Sequence, residues 1–147
     1  MVVVGHHTGD ISVVVDQKVE NKIGFNGGPV TCIKVKDGHL YTSTTEGVFK
    51  RQPAALLGME VKSNKKMSQF YTKGNTFSCN SLIICFEIIT NCGYNKSVPV
   101  EGHQHEAVLA CYDGFLYVIS REMNEEMKIR VSHDKMLTGT FLFKEES

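Results

Sequence analysis

The chain has 147 residues, enough for one domain with a real core and no need of disulfide staples. Sixteen basic residues balance sixteen acidic ones, which speaks against a partner bound through general charge, such as the nucleic-acid backbone. No apolar run approaches the ~20 residues of a membrane span, and the start lacks the basic flank and greasy core of a secretion signal.

The five cysteines are Cys32, Cys79, Cys85, Cys92 and Cys111. Their number is odd and no Cys-x-x-Cys pair occurs, so the pattern predicts free thiols and a reducing, cytoplasmic setting.

In chain order, Val2–Val4 reads as a strand, His6–Asp10 as a turn, Ile11–Val15 as the returning strand and Val19–Phe25 as a third. Asn26–Pro29 breaks the pattern. Val30–Arg51 is the clearest stretch. Val30–Val35 is β-rich, and Asp37-Gly38 is a dipeptide able to adopt positive φ in a tight hairpin. Leu40–Thr44 follows, Glu46-Gly47 turns again, and Val48–Arg51 leaves. Such a meander cannot stand alone and must bury a face against further sheets.

Pro53–Leu57 has helix-start character, Lys62–Lys66 reads as an exposed loop, and Met67–Thr72 as a fourth strand of the central meander. Leu82–Ile89 reads as an inner strand buried on both faces. Thr90–Glu106 is a long polar loop, and Val108–Cys111 and Leu116–Ile119 flank a turn at Asp113-Gly114. Arg121–Glu126 is a polar connection, Met127–Val131 an outer strand and Thr140–Phe143 a last one. Ile33, Leu82, Ile84, Leu109 and Val118 are the expected core.

Three hairpins can be overlaid: VVVGHHTGDISVVV, LYTSTTEGVFKR and VLACYDGFLYVIS. Their glycines Gly9 and Gly47 stand 38 residues apart, a blade-like period, and Gly114 follows 67 later. A rival register overlays Asp37–Tyr41 on Asp113–Tyr117, with Lys73-Gly74 marking the blade between. NGGPVTCIKVKDGHLYTSTTEGVFKR resembles a WD-repeat blade, and VLACYDGFLYVIS is equally similar to a quinoprotein-type repeat, although the chain contains no tryptophan. The resemblance implies an all-β fold of antiparallel meander blades, a partial or incomplete β-propeller formed as a single domain over residues 1–147. In the first register the chain opens on a blade's second strand and closes on a first strand. The strands then number about twelve, three blades' worth, fewer than propellers ordinarily need to close.

What the resemblance implies for function is a non-catalytic scaffold for protein–protein binding, without cofactor, through loops and blade rims. The imidazoles of His6, His7, His103 and His105 are the binding-surface candidates. His103-Gln104-His105 also places two imidazoles on one side of an extended segment, so a metal-dependent enzyme is the first alternative. Polar loops produce His-x-His more often than zinc sites do, and no second spaced pair supports a metal. A sugar-binding β-sandwich is the second alternative. Cys92, in the loop Asn91-Cys92-Gly93, is a candidate nucleophile without an evident base. Asp10, Asp37 and Asp113 sit at glycine turns, where a carboxylate caps backbone N–H groups. Uncovered sheet edges at Val2–Val4 and Thr140–Phe143 predict self-association, head to tail in its most specific form.

Overall fold

A computed structural model describes residues 1–24, 27–58, 75–89 and 105–132. Everything described is β apart from one short 3-10 helix at Ala54–Gly58. No described helix is long and apolar enough to cross a membrane. Three antiparallel meander sheets form. The N-terminal sheet runs β1 (Val2–Gly5), β2 (Ile11–Val15) and β3 (Lys18–Ile23). The central sheet runs β4 (Val30–Lys36), β5 (His39–Thr44), β6 (Val48–Pro53) and β7 (Thr76–Ser78). The C-terminal sheet runs β8 (Ile83–Ile88), β9 (His105–Cys111), β10 (Phe115–Ser120) and β11 (Glu125–Arg130). Three stacked sheets replace the two of a sandwich.

The stacking follows from the period of two along a strand. Leu40 on β5 is buried with Ile11, Val13 and Ile23 of the N-terminal sheet and with Leu57 of the 3-10 helix. Its neighbour Tyr41 points the other way, with Phe49, into Ile83, Phe86, Leu109 and Ile119 of the C-terminal sheet. Phe49 and Phe86 meet edge to face at 5.0 Å, a geometry worth about 0.5–1.5 kcal/mol beyond burial. Both faces of the central sheet are therefore core.

The turns explain the shared hairpin pattern. Gly9, Gly47 and Gly114 all have positive φ, and the amide of each donates to the carbonyl three residues back: His6, Thr44 and Cys111. This is a type I turn closed by a left-handed residue, which glycine adopts without steric cost. Asp37-Gly38 and Asp16-Gln17 form two-residue turns with both φ values positive. The carboxylate of Asp113 accepts the Phe115 amide at 3.1 Å, the turn role expected of it.

Several expectations are corrected. β1 lies against β4, and β4 against β8, so the first strands of successive sheets are neighbours. The chain thus opens on a first strand, not a second. The hairpin at Gly9 joins strands one and two of its sheet, whereas those at Gly47 and Gly114 join strands two and three. The rival register fails in the same way, since Asp37-Gly38 joins strands one and two; its marker Lys73-Gly74 lies outside the described residues. One turn chemistry serves any antiparallel hairpin, which is why the overlay misled. The fourth strand of the central sheet is Thr76–Ser78, while Met67–Thr72 lies outside the described residues. Lys62–Lys66 and Thr140–Phe143 also lie outside them. Among the described residues the strands number eleven.

The core is also redrawn. Leu109 and Val118 are buried as expected, but Ile33, Leu82 and Ile84 are only half-buried. β8 is not buried on both faces. A register shift between Ile83 and Cys85 sends Ile83, Phe86 and Ile88 inward and leaves Ile84 at the side. The polar connection after β10 is shorter than expected, because β11 already begins at Glu125.

Two measurements check this packing. Leu109→Ala should cost about 2–5 kcal/mol of unfolding free energy in urea titration, as core truncations do; a loss under about 0.5 kcal/mol, the scatter of surface changes, would place it outside the core. Gly47 and Gly38 have similar φ, 80° and 76°, but a Cβ on Gly47 would lie 2.2 Å from the Cys79 carbonyl oxygen, while one on Gly38 meets nothing within 4 Å. Gly38→Ala should therefore cost only the left-handed strain of about 1–2 kcal/mol, and Gly47→Ala clearly more. Equal costs would contradict the close approach.

Candidate functional site

The register of the central sheet places Lys34 opposite Tyr41 and Tyr41 opposite Arg51, so three polar side chains form one row across β4, β5 and β6. This row faces two carboxylates of the C-terminal sheet. Lys34 Nζ lies 2.7 Å from Glu87 Oε2. Arg51 Nη1 lies 3.3 Å from Glu106 Oε1, which also accepts the Tyr41 hydroxyl. Arg121, on the turn after β10, reaches the other oxygen of Glu106 at 3.8 Å from its more exposed position. Glu106 and Arg51 are largely buried, so their charges are poorly screened and depend on each other.

Burial, and then the hydrogen bond to Glu106, raise the Tyr41 pKa well above the ordinary tyrosine range. Burial, with Asp113 close by, does the same for Tyr117. On the opposite face of the central sheet Lys50 and Gln52 are buried. Burial depresses the Lys50 pKa, and neither polar atom of the Gln52 amide has a hydrogen-bond partner.

The histidines do not converge. His6 is half-buried in the first turn. Its Nε2 lies 2.6 Å from Ser12 Oγ, and its carbonyl accepts the amides of Gly9 and Val30, tying that turn to the start of the central sheet. His7 is exposed beside it. His105 is not in a loop: it is the first residue of β9, half-buried and opposite Ser120. The central sheet stands between His6 and His105. His103 and Cys92 lie outside the described residues. Among the described residues no group of three His, Cys, Asp or Glu side chains is placed to hold a metal ion. Glu106, beside His105, is engaged with Tyr41 and the two arginines.

Among the described residues no further sheet lies against the outer face of either outer sheet, and on that face of the C-terminal sheet Ala110 and Val118 are buried. On the N-terminal sheet Val2 and Val4 pair with Val14 and Ser12, on the side away from the core residues Ile11 and Val13. Val19 joins them, opposite Val14, and is 67% exposed. On the C-terminal sheet Met127 and Ile129 pair with Val118 and Leu116, the side away from Tyr117 and Ile119. Lys128 and Arg130 alternate with them and lie over the Phe115 ring, at 4.3 and 4.1 Å from its centroid.

No protein-family model matches the chain, and no curated protein matches it. Among solved structures it is similar to the beta-propeller domain of Cps50 (Swd1) from Myceliophteria thermophila, at 10% identity and a TM-score of 0.46. The alignment covers 93% of this chain and 53% of that one, so the chain spans about half the length of that structure.

Sequence reasoning missed the polar row. The signal was present: once Asp37-Gly38 is a two-residue turn, Lys36 must face His39 and Lys34 must face Tyr41. The carboxylates that the row meets are on strands distant in sequence, and no local pattern points to them.

Glu106→Gln removes the charge that Arg51 and Tyr41 share. Unfolding should be easier by about 1–3 kcal/mol, the range for a buried partner left unsatisfied, and the Tyr41 ionisation should move down toward its ordinary value in an ultraviolet absorbance titration. Because the folded-state pKa of Tyr41 is raised, the stabilisation it reflects is complete below pH about 10 and is lost as the pH rises further. An unchanged tyrosine titration in Glu106→Gln would mean that the network does not set it.

Proposed function

We propose that the chain is a non-catalytic protein–protein interaction module of the β-propeller type, built from three blade-like sheets. One observation carries the reading. Among the described residues the central sheet is buried on both faces, while the sheets on either side carry exposed apolar side chains on their outer faces: Val2, Val4 and Val19 on one, Met127 and Ile129 on the other. The alignment of β1, β4 and β8, the first strands of their sheets, is what radially arranged blades require. A stack with exposed apolar side chains on both outer faces gains free energy by covering them with another sheet.

The partner we assign to these faces is a second copy of the chain, head to tail, with the N-terminal sheet of one against the C-terminal sheet of the other. Such a contact is heterologous, so it closes into a ring or extends. The valines that matter are Val2, Val4 and Val19. Val3 turns inward to the N-terminal core, so a charge there would disturb folding and not docking. The same reading keeps the protein in a reducing, cytoplasmic compartment, on the odd cysteine count of the sequence.

Light scattering across a concentration series is the test. Wild-type protein should gain mass with concentration, and Val19→Lys or Ile129→Lys should each shift association to at least tenfold higher concentration without changing the circular dichroism spectrum. A monomer throughout the series overturns the assigned partner.

A further inference from the structure

The crossover from the central to the C-terminal sheet, Cys79 to Leu82, is held at both ends. The Cys79 amide donates to the Gly47 carbonyl at 2.9 Å. Farther on, the Leu82 carbonyl accepts the Tyr112 amide at 2.9 Å, and Ser81 Oγ accepts the Asp113 amide at 3.1 Å. These bonds bring Cys79 up to Cys111, the last residue of β9. The Cys79 thiol donates to the Ser81 carbonyl at 3.4 Å, and its side chain packs against the core cluster that contains Cys111. Their exposures differ. Cys79 is half-buried at the surface of the crossover, while Cys111 is fully buried in the core. None of the described cysteines is in a disulfide.

We propose that Cys79 and Cys111 form a peroxide-reactive dithiol, with Cys79 as the thiol that attacks the peroxide and Cys111 as the resolving one. The step balances as follows. The Cys79 thiolate, its proton lost to solvent, attacks an oxygen of a hydroperoxide. The O–O bond breaks, Cys79 becomes the sulfenic acid, and the departing alkoxide or hydroxide takes up a proton. Cys111 sulfur then attacks Cys79 sulfur, the S–O bond breaks, and the hydroxide leaves with the Cys111 proton as water. The hydroperoxide takes two electrons from the two thiols, which become a disulfide.

The surroundings favour this order. A peroxide reaches Cys79 from solvent, whereas buried Cys111 has Cys79 as its route to oxidation. The hydrogen bond from Cys111 stabilises the Cys79 thiolate and lowers its pKa, with the Lys128 ammonium acting in the same direction. Burial and the Asp113 carboxylate oppose it. The same hydrogen bond, with burial and with the neighbouring Cys79, Asp113 and Cys85, raises the Cys111 pKa, so that Cys79 ionises first. Once formed, the disulfide joins the crossover covalently to β9.

The test is thiol mapping on the full chain. Reduced protein treated with one equivalent of hydrogen peroxide, alkylated, digested and analysed by mass spectrometry should lose two thiols per chain as a peptide linked between Cys79 and Cys111, restored by dithiothreitol. In Cys111→Ala, Cys79 should instead be trapped as the sulfenic acid by dimedone. In Cys79→Ser, Cys111 should stay alkylatable. Two results on the wild-type protein, which need no variant to fold, would overturn the proposal. One is oxidation of other cysteines while Cys79 and Cys111 both stay reduced. The other is Cys79 reacting no faster in the folded chain than in urea.

Discussion

Leu40 and Tyr41 are adjacent in sequence and belong to different cores. A strand sends successive side chains to opposite faces, and on β5 both faces are filled by neighbouring sheets. The whole stack depends on this alternation. Leu40 draws the N-terminal sheet onto one side with Ile11, Val13 and Ile23. Tyr41 and Phe49 draw the C-terminal sheet onto the other. A slip of one residue in β5 would send Leu40 into the Glu106 network and take the Tyr41 hydroxyl away from Glu106. The polar row Lys34, Tyr41, Arg51 therefore does more than add ion pairs. It makes the correct register the one in which Glu87 and Glu106 are answered.

The two sides of the central sheet are not equivalent. Toward the C-terminal sheet the contact combines aromatic packing with a charged network, so it is specified by shape and by charge. Toward the N-terminal sheet it is mostly aliphatic, with Lys50 and Gln52 buried on the same side. An amide with no hydrogen-bond partner works against stability. Among the described residues the N-terminal sheet has three strands where the others have four, so less of this interface is covered by described β-structure. The stack is thus better specified on its C-terminal side, where the crossover with Cys79 and the turn of Gly47 are also locked together.

The strands were largely legible because their signals are local. β-branched runs bounded by Gly and Asp turns locate β2, β4, β5, β6 and β10 to within a residue or two. What was not legible is which strand occupies which place in its sheet. That depends on β1 meeting β4 and β4 meeting β8, contacts between residues far apart in sequence. The site was hidden for the same reason. His105 and Glu106 looked like one polar loop, yet Glu106 takes its character from Tyr41 and Arg51 on another sheet. The cysteines read as free thiols without paired spacing, because Cys79 and Cys111 come together only through the backbone bonds of the crossover.

The turn after β10 shows how a local rule gives way to packing. Residues 120–123 repeat the turn made at Gly9, Gly47 and Gly114, with the Met123 amide donating to the Ser120 carbonyl at 3.0 Å. The left-handed position, φ 64°, is here taken by a methionine. That conformation costs a residue with a Cβ about 1–2 kcal/mol. Burying a methionine side chain returns about 1.5–3 kcal/mol, and Met123 is 4% exposed against Ile119 and the rest of the C-terminal core. The two terms are close, and burial is the larger. A glycine here would suit the backbone and leave a void beneath the turn. Without a glycine, Arg121–Glu126 has no turn signature and reads as a polar, helix-prone connection. The backbone strain that makes the turn unreadable is offset by a side-chain contact that the linear sequence does not display.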